Sequence, residues 1–359
     1  MKKFLTLIAL FVMTFCAADL FAQQSRGHVK PKALIGQSNS SIQKQDGTIW
    51  HKLPEGTEPS KSIMRIQPTK YLVYLLEESY LKPAMFGLST NPANGMIISL
   101  PMPDGSFRDF KVWQAPMMPD ELAAKYPDIK TFDGEAVDNH TITVKLDFTL
   151  FGFHAMIFEP GNVSFIDPYD IYNDHVYMVH YKKDETRPFN ARMRCEVPSP
   201  VDNATGMAPM NLHPNDLPAM KLVKETHHSA LRTSNGWQKR TYRTAVSANN
   251  FYCQAATGLP SPTIAQCLSA MTTTMNRVNG VYNRELSVQL NFVAKEDTLI
   301  WPTATGSVNG ADPFNAINTN PGSCLTVNQT TCDTRIGTAN YDIGHVFTTC
   351  LLYTSDAAD

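Results

Sequence analysis

No run of basic residues gathers anywhere in this 359-residue chain: 31 lysines and arginines stand against 33 aspartates and glutamates, a formal net charge of −2. A nucleic-acid binder shows a basic stripe that meets phosphates, so the balance argues against that class of partner. Past the N-terminus no apolar run nears the roughly 18 residues of a membrane-crossing helix, so no membrane span is expected there. No G-x-S-x-G elbow occurs, and no cysteine sits in a recognisable nucleophile context, so serine and cysteine hydrolases find no support. What the chain does hold is 43% hydrophobic residues, and its length predicts about two domains of roughly 100–200 residues each.

The first 22 residues carry Lys2 and Lys3, an apolar core from Phe4 to Cys16 and small residues near Ala22. That is the pattern of a secretory signal cut before Gln23, so the expected location is secreted, extracellular or periplasmic. Residues 23–46 are polar and aperiodic, a flexible tail. Residues 47–195 read as a β-rich domain. "GMIISLPMPDGSFRDFKVWQ" sets a Pro-Asp-Gly turn between two apolar runs, and "FTLFGFHAMIFEPGNVSFIDPY" repeats the design around Pro160-Gly161, both hairpin signals. One helix, near Pro119 to Tyr126, interrupts the strands. Residues 196–240 are rich in proline and small polar residues and form a linker. Lys239-Arg240 at its end is either a processing site or a solvated basic pair.

A second domain spans residues 241–349. "TYRTAVSANNFY" reads as a strand, and Ser261-Pro262 as the cap and first turn of a helix. Ile264, Leu268, Met271, Met275 and Val278 step by four and three, one buried face, and Asn279-Gly280 is a natural stop. Leu286, Val288, Leu290 and Phe292 then alternate as a strand. Strand, helix and strand predict a mixed α/β sheet. The last strand, from Asp342 to Thr349, alternates Ile343, His345 and Phe347 with Gly344, Val346 and Thr348.

"YRTAVSANNFYCQ", "MTTTMNRVNGVYNRELSVQLNFVAKEDTLIW" and "NQTTCDTRIGTANYDIGHVFTT" together resemble the start of the catalytic domain of bacterial reprolysin-like (adamalysin-type) metzincin zinc proteases. The resemblance runs from about Tyr242 to Thr349. It implies an α+β chain: a β-rich propeptide domain followed by the N-terminal part of a zincin-like (metzincin) catalytic domain. It also implies zinc as cofactor, and proteins or peptides as substrates. In such proteases H-E-x-x-H-x-x-G-x-x-H holds the metal and its glutamate activates water. None of the ten histidines here is followed by glutamate, so the motif is absent. The family's next segment would supply it, yet the resemblance stops at Cys350. "CLLYTSDAAD" can be encoded by a transposon-end adaptor used in sequencing libraries, and residues 350–359 are expected to be that adaptor. The chain then ends just before its active site, and no catalytic residue or zinc ligand is expected within it. The alternative reading is an exported, non-enzymatic binding or adhesion protein on the same scaffold.

Outside the signal and the adaptor five cysteines remain: 195, 253, 267, 324 and 332. Pairing neighbours, Cys253 with Cys267 and Cys324 with Cys332, gives two disulfides, a loop of about 15 residues stabilising by about 3 kcal/mol. Other pairings stay open, because connectivity does not follow from sequence. Cys195 is left over. In proteases of this kind a propeptide thiolate can occupy the zinc's open position and hold the enzyme latent. Glu196 follows Cys195 where the familiar latency motif has glycine, and an ordinary structural cysteine is the competing reading. Ile343, His345 and Phe347 lie on what resembles the strand at the cleft's edge, where substrate adds through backbone hydrogen bonds. The competing reading of His345 is a half-buried strand histidine.

Overall fold

The structure, a computed structural model, describes residues 49–57, 59, 66–170, 175–185, 238–318 and 320–349. The signal segment, the tail, Cys195, nearly all of the linker and residues 350–359 lie outside them. All described residues fall in one compact unit beginning at Thr48. No helix among them is long and apolar enough to cross a membrane.

The N-terminal half is antiparallel sheet. Its strands are β1 (Trp50–Lys52), β2 (Leu72–Leu76), β3 (Met96–Pro101), β4 (Phe107–Gln114), β5 (Lys130–Ala136), β6 (Thr143–Thr149), β7 (Gly152–Glu159), β8 (Asn162–Pro168) and β9 (Val176–Tyr181). Helix α1 (Glu78–Phe86) follows β2, and α2 (Asp120–Lys125) follows β4. The spatial order is β1-β2-β9-β8-β7-β6-β5-β4-β3. The Pro-Asp-Gly turn joins β3 to β4 as its sequence predicts. Gly105 takes a φ of 88°, and Asp104 accepts the Ser106 N–H at 2.9 Å. Only glycine adopts that backbone region without strain.

Alternation decides which side chains meet. On β7, Phe153, Ala155 and Ile157 join one large core with Trp50, Leu146, Phe148, Ile166 and Tyr177. The sheet curls around this core far enough to bring the Tyr74 and Phe107 rings to 5.9 Å, edge to face. The opposite face of the same strands presents Asp147, His154, Met156, Phe158, Phe165 and Asp167, all buried.

The C-terminal half runs β10 (Arg240–Ala248), α3 (Asn250–Thr257), α4 (Ile264–Leu286), β11 (Val288–Phe292), α5 (Pro321–Arg335) and β12 (Ile343–Phe347). Its sheet order is β11-β10-β12, with both pairings parallel. Parallel strands require covered faces, and both are covered. Val246, Leu290 and Phe347 pack with Leu268, Met271 and Met275 of α4. Ala245, Trp301 and Phe314 pack with Cys324 and Cys332 of α5.

Four sequence expectations need correcting. Two helices, α1 and α2, interrupt the N-terminal strands rather than one. The strand read through "SANNFY" stops at Ala248, because Asn249 accepts the Tyr252 N–H at 2.8 Å and caps α3. Gly258, at φ 69°, ends that helix in the left-handed conformation, an Asn-to-Gly frame legible in retrospect. The cap of α4 is Thr263, not Ser261. Its hydroxyl accepts the Gln266 N–H at 3.2 Å, and the Gln266 side chain accepts the Thr263 N–H at 2.8 Å, a reciprocal capping box. Finally, α4 runs through Asn279-Gly280 to Leu286. Asn279 is spent on β11, accepting the Leu290 N–H at 2.7 Å and donating to the Leu290 carbonyl at 2.8 Å.

Gly280 lets α4 lie directly on the N-terminal sheet. A Cβ there would come within 2.7 Å of the Phe158 ring. In an ordinary helix interior, glycine to alanine gains up to about 1 kcal/mol. Here overpacking, about 1–3 kcal/mol, should outweigh that gain. Gly280→Ala is therefore expected to lower the denaturation midpoint, and a rise in stability by urea titration would refute the close contact.

Candidate functional site

The edge strand the sequence singled out lies at one border of the three-stranded sheet. β12 pairs only with β10 among the described residues, from Thr244↔Ile343 to Ala248↔Phe347. A clamp just before it fixes the register. Asp342 accepts the Arg243 backbone N–H at 2.7 Å, and its carboxylate takes two guanidinium nitrogens of Arg243 at 2.7 and 3.2 Å. Hydrogen bonds from Arg243 hold the Asp342 carboxyl down to about 2. A third guanidinium nitrogen reaches the Ala339 carbonyl at 2.8 Å.

Along β12, Ile343, Gly344 and His345 are exposed, Val346 is half-buried and Phe347 is buried. Phe347 packs on Tyr252, ring centroids 4.7 Å apart, and the His345 ring meets it edge-on at 5.2 Å. Atoms gathered around the His345 ring desolvate it and push its pKa below the usual histidine value, although the residue keeps exposed surface. His345 thus sits as an exposed strand residue rather than a half-buried one. The outer backbone groups of β12 form an open edge among the described residues, which can accept an extended peptide as a further strand.

The described residues give a zinc ion nothing to bind. No group of three or more His, Cys, Asp or Glu side chains converges among them. The described histidines other than His345 each stand beside a carboxylate: His51 by Glu77, His140 by Glu135, His154 by Asp147, His175 by Glu78 and His180 by Glu185.

The cysteines divide. Cys253 on α3 and Cys267 on α4 are buried and stand thiol to thiol; burial first, then the Cys267 thiol, pushes the Cys253 pKa far up. Both are free thiols. Cys324 and Cys332 do not fit as a pair. Both belong to α5, and eight residues at about 1.5 Å rise set their Cα atoms about 12 Å apart. A disulfide spans at most about 7 Å, so pairing by nearness in sequence fails there. Burial pushes the Cys332 thiol up to about 11, which makes it a poor nucleophile. Cys195 lies outside the described residues. Arg240 of the basic pair is already in β10, its N–H bonded to the Ser287 carbonyl at 2.9 Å, so a cut after it would fall within a paired strand.

One buried acid escaped the sequence reading. Glu296 follows β11, is fully buried and accepts the Val246 N–H at 2.9 Å, joining the 3-10 turn Glu296–Leu299 to the central strand. Its other carboxyl oxygen has no hydrogen-bond partner among the described residues. Burial raises its pKa well above the ordinary value. A carboxyl whose folded pKa is raised stabilises the fold most below its unfolded pKa, near 4.3, and loses that advantage as pH climbs towards the folded value. Glu296→Gln cannot ionise. It should raise the melting temperature at pH 7 and give no gain below about pH 4; an equal gain at both would show that ionisation is not the cause. No sequence signal marks this acid, because its burial depends on β10, whose Val246 lies 50 residues earlier.

The family described as Metallo-peptidase family M12B Reprolysin-like matches residues 268–353. The span begins inside α4, takes in β11, α5 and β12, and covers less than half of the chain. It leaves β10 and α3 outside, although the sequence resemblance began near Tyr242. No curated protein matches the chain. The match supports a reprolysin-like metallopeptidase family, one that is zinc-dependent in general.

Proposed function

We propose that the chain is part of the exported, bacterial precursor of a zinc-dependent metalloendopeptidase that hydrolyses proteins or peptides. The match over residues 268–353 carries this reading. The parallel sheet between α4 and α5 supports it, as does the open edge of β12, where an extended substrate would lie. On this reading residues 1–22 are the signal peptide and the nine-stranded unit is the propeptide. Cys195 is its inhibitory thiolate, and the zinc-binding helix follows Thr349 in the complete protein. Residues 350–359 are adaptor sequence on this reading, although the family match runs on to residue 353. The described residues do not fit zinc, so no catalytic step is assigned to them, and the water-activating glutamate belongs to the missing helix.

The test is an overlapping read of the gene beyond Thr349. It should encode a glycine-rich stretch and then H-E-x-x-H-x-x-G-x-x-H within about a hundred residues. A stop codon, or a helix without those histidines, would instead favour the non-enzymatic binding protein.

A further inference from the structure

Strand β12 outruns its partner. Its ladder with β10 ends at Ala248↔Phe347, because β10 gives way there to α3. Asn249 is fully buried at that corner. Its backbone N–H donates to the Phe347 carbonyl at 3.2 Å, and its side-chain oxygen caps α3 through the Tyr252 N–H. Its side-chain nitrogen donates to Asn318 Oδ1 at 2.6 Å. Asn318 in turn meets Thr349, two residues past the last rung. The same Oδ1 accepts the Thr349 N–H at 3.3 Å, and Nδ2 donates to the Thr349 hydroxyl at 2.9 Å. The loop leading to Asn318 is itself tied down, since Asp312 accepts the Asn250 and Phe314 N–H groups, each at 2.8 Å.

We propose that Asn318 is a positioning residue that stands in for the missing end of β10 and prolongs the peptide-accepting edge of β12 from Phe347 to Thr349. The proposal rests on the reading of β12 as a substrate edge and deepens it, by setting how long a bound segment can be. A primary amide is a peptide group in miniature, with a carbonyl acceptor and an N–H donor side by side. Beside Thr349 it holds the chain as a neighbouring strand would, so the edge facing away from β10 stays extended. The other end of β12 is held by the Arg243–Asp342 clamp. At about 3.3 Å per residue, Ile343 to Phe347 offer about 17 Å of edge, and Ile343 to Thr349 about 23 Å. Without Asn318 the last two residues have no strand beside them among the described residues, and a chain end so placed frays.

The experiment titrates residues 1–359 into fluorescein-labelled peptides of alternating valine and threonine, of about five and about seven residues to match the two edge lengths, and reads binding by anisotropy. Wild type should bind the longer peptide about tenfold more tightly, the worth of one or two net hydrogen bonds. Asn318→Ala should bind the shorter peptide as wild type does and lose the length advantage. Asn318→Asp keeps an acceptor for Asn249 and for the Thr349 N–H, and lets the Thr349 hydroxyl donate, so it should retain the advantage. A general loss of fold would weaken both peptides alike, which the length comparison separates from positioning. Thr349→Val removes only the hydroxyl and should fall between, and it decides the matter if Asn318→Ala does not fold. A length advantage that survives these two variants, or that wild type lacks, overturns the proposal and leaves the edge reading standing. Wild type that binds neither peptide overturns the edge reading, and the proposal with it.

Discussion

Residues 1–359, purified and washed with chelator, should take up no stoichiometric catalytic zinc and hydrolyse no peptide. The sequence has no His-Glu pair, and the described residues bring no three metal-binding side chains together. Peptide hydrolysis needs both functions at once: a metal that lowers the pKa of bound water and a glutamate that takes its proton. Enzymes of known mechanism start at accelerations of about a millionfold. On the proposed reading, the gap between this chain and one extended through a zinc-binding helix should therefore be about six decades or more in rate. Metal analysis and a quenched peptide substrate check it together. Stoichiometric zinc with turnover in residues 1–359 would show a metal site elsewhere and end the argument from the missing motif.

On the proposed reading, Cys195→Ala in the complete precursor should switch on activity that wild type withholds. A thiolate is a soft fourth ligand that suits zinc and displaces the water that the reaction needs. Removing one sulfur should raise the rate of the unprocessed precursor from background to near that of the processed enzyme. Cys253→Ala should instead lower stability with no activation, because Cys253 is buried between α3 and α4. The comparison must precede any cleavage between the units, since afterwards both forms have lost the propeptide. A mutant precursor as silent as wild type would mean that the propeptide blocks the cleft by shape alone.

The elements legible in the sequence were those specified locally. The two hairpins announce themselves through Asp104-Gly105 and Pro160-Gly161, and the apolar steps from Leu268 to Val278 locate one face of α4. Two misreadings, the Asn249 cap of α3 and the Thr263 cap of α4, were of local signals, and others arose where distant partners decide. Asn279 and Gly280 look like a helix stop, yet β11 claims the first and Phe158 the second, and no local rule reports the Gly280 contact, more than a hundred residues away. The polar face of α4 was likewise invisible, because Thr273, Asn276 and Arg277 read as solvated until the nine-stranded sheet covers them. The cysteines show the same limit. Nearness in sequence paired Cys324 with Cys332, and helical rise separates them. For the site, the strand from Ile343 to Phe347 was readable from its alternation and its place at an edge only through the resemblance, while Glu296 was not.

A helix enclosed on both sides has a consequence for isotope labelling. Amide hydrogens in a surface helix exchange with solvent through small local openings, each at its own rate. For α4, one side is locked to β11, the other to the nine-stranded sheet. Its central amides can meet solvent deuterium only when one of those sheets lets go. The residues from Leu268 to Val278 should therefore share a single slow exchange rate, and the mass of one peptide from this helix becomes a clock for how often the whole molecule comes apart.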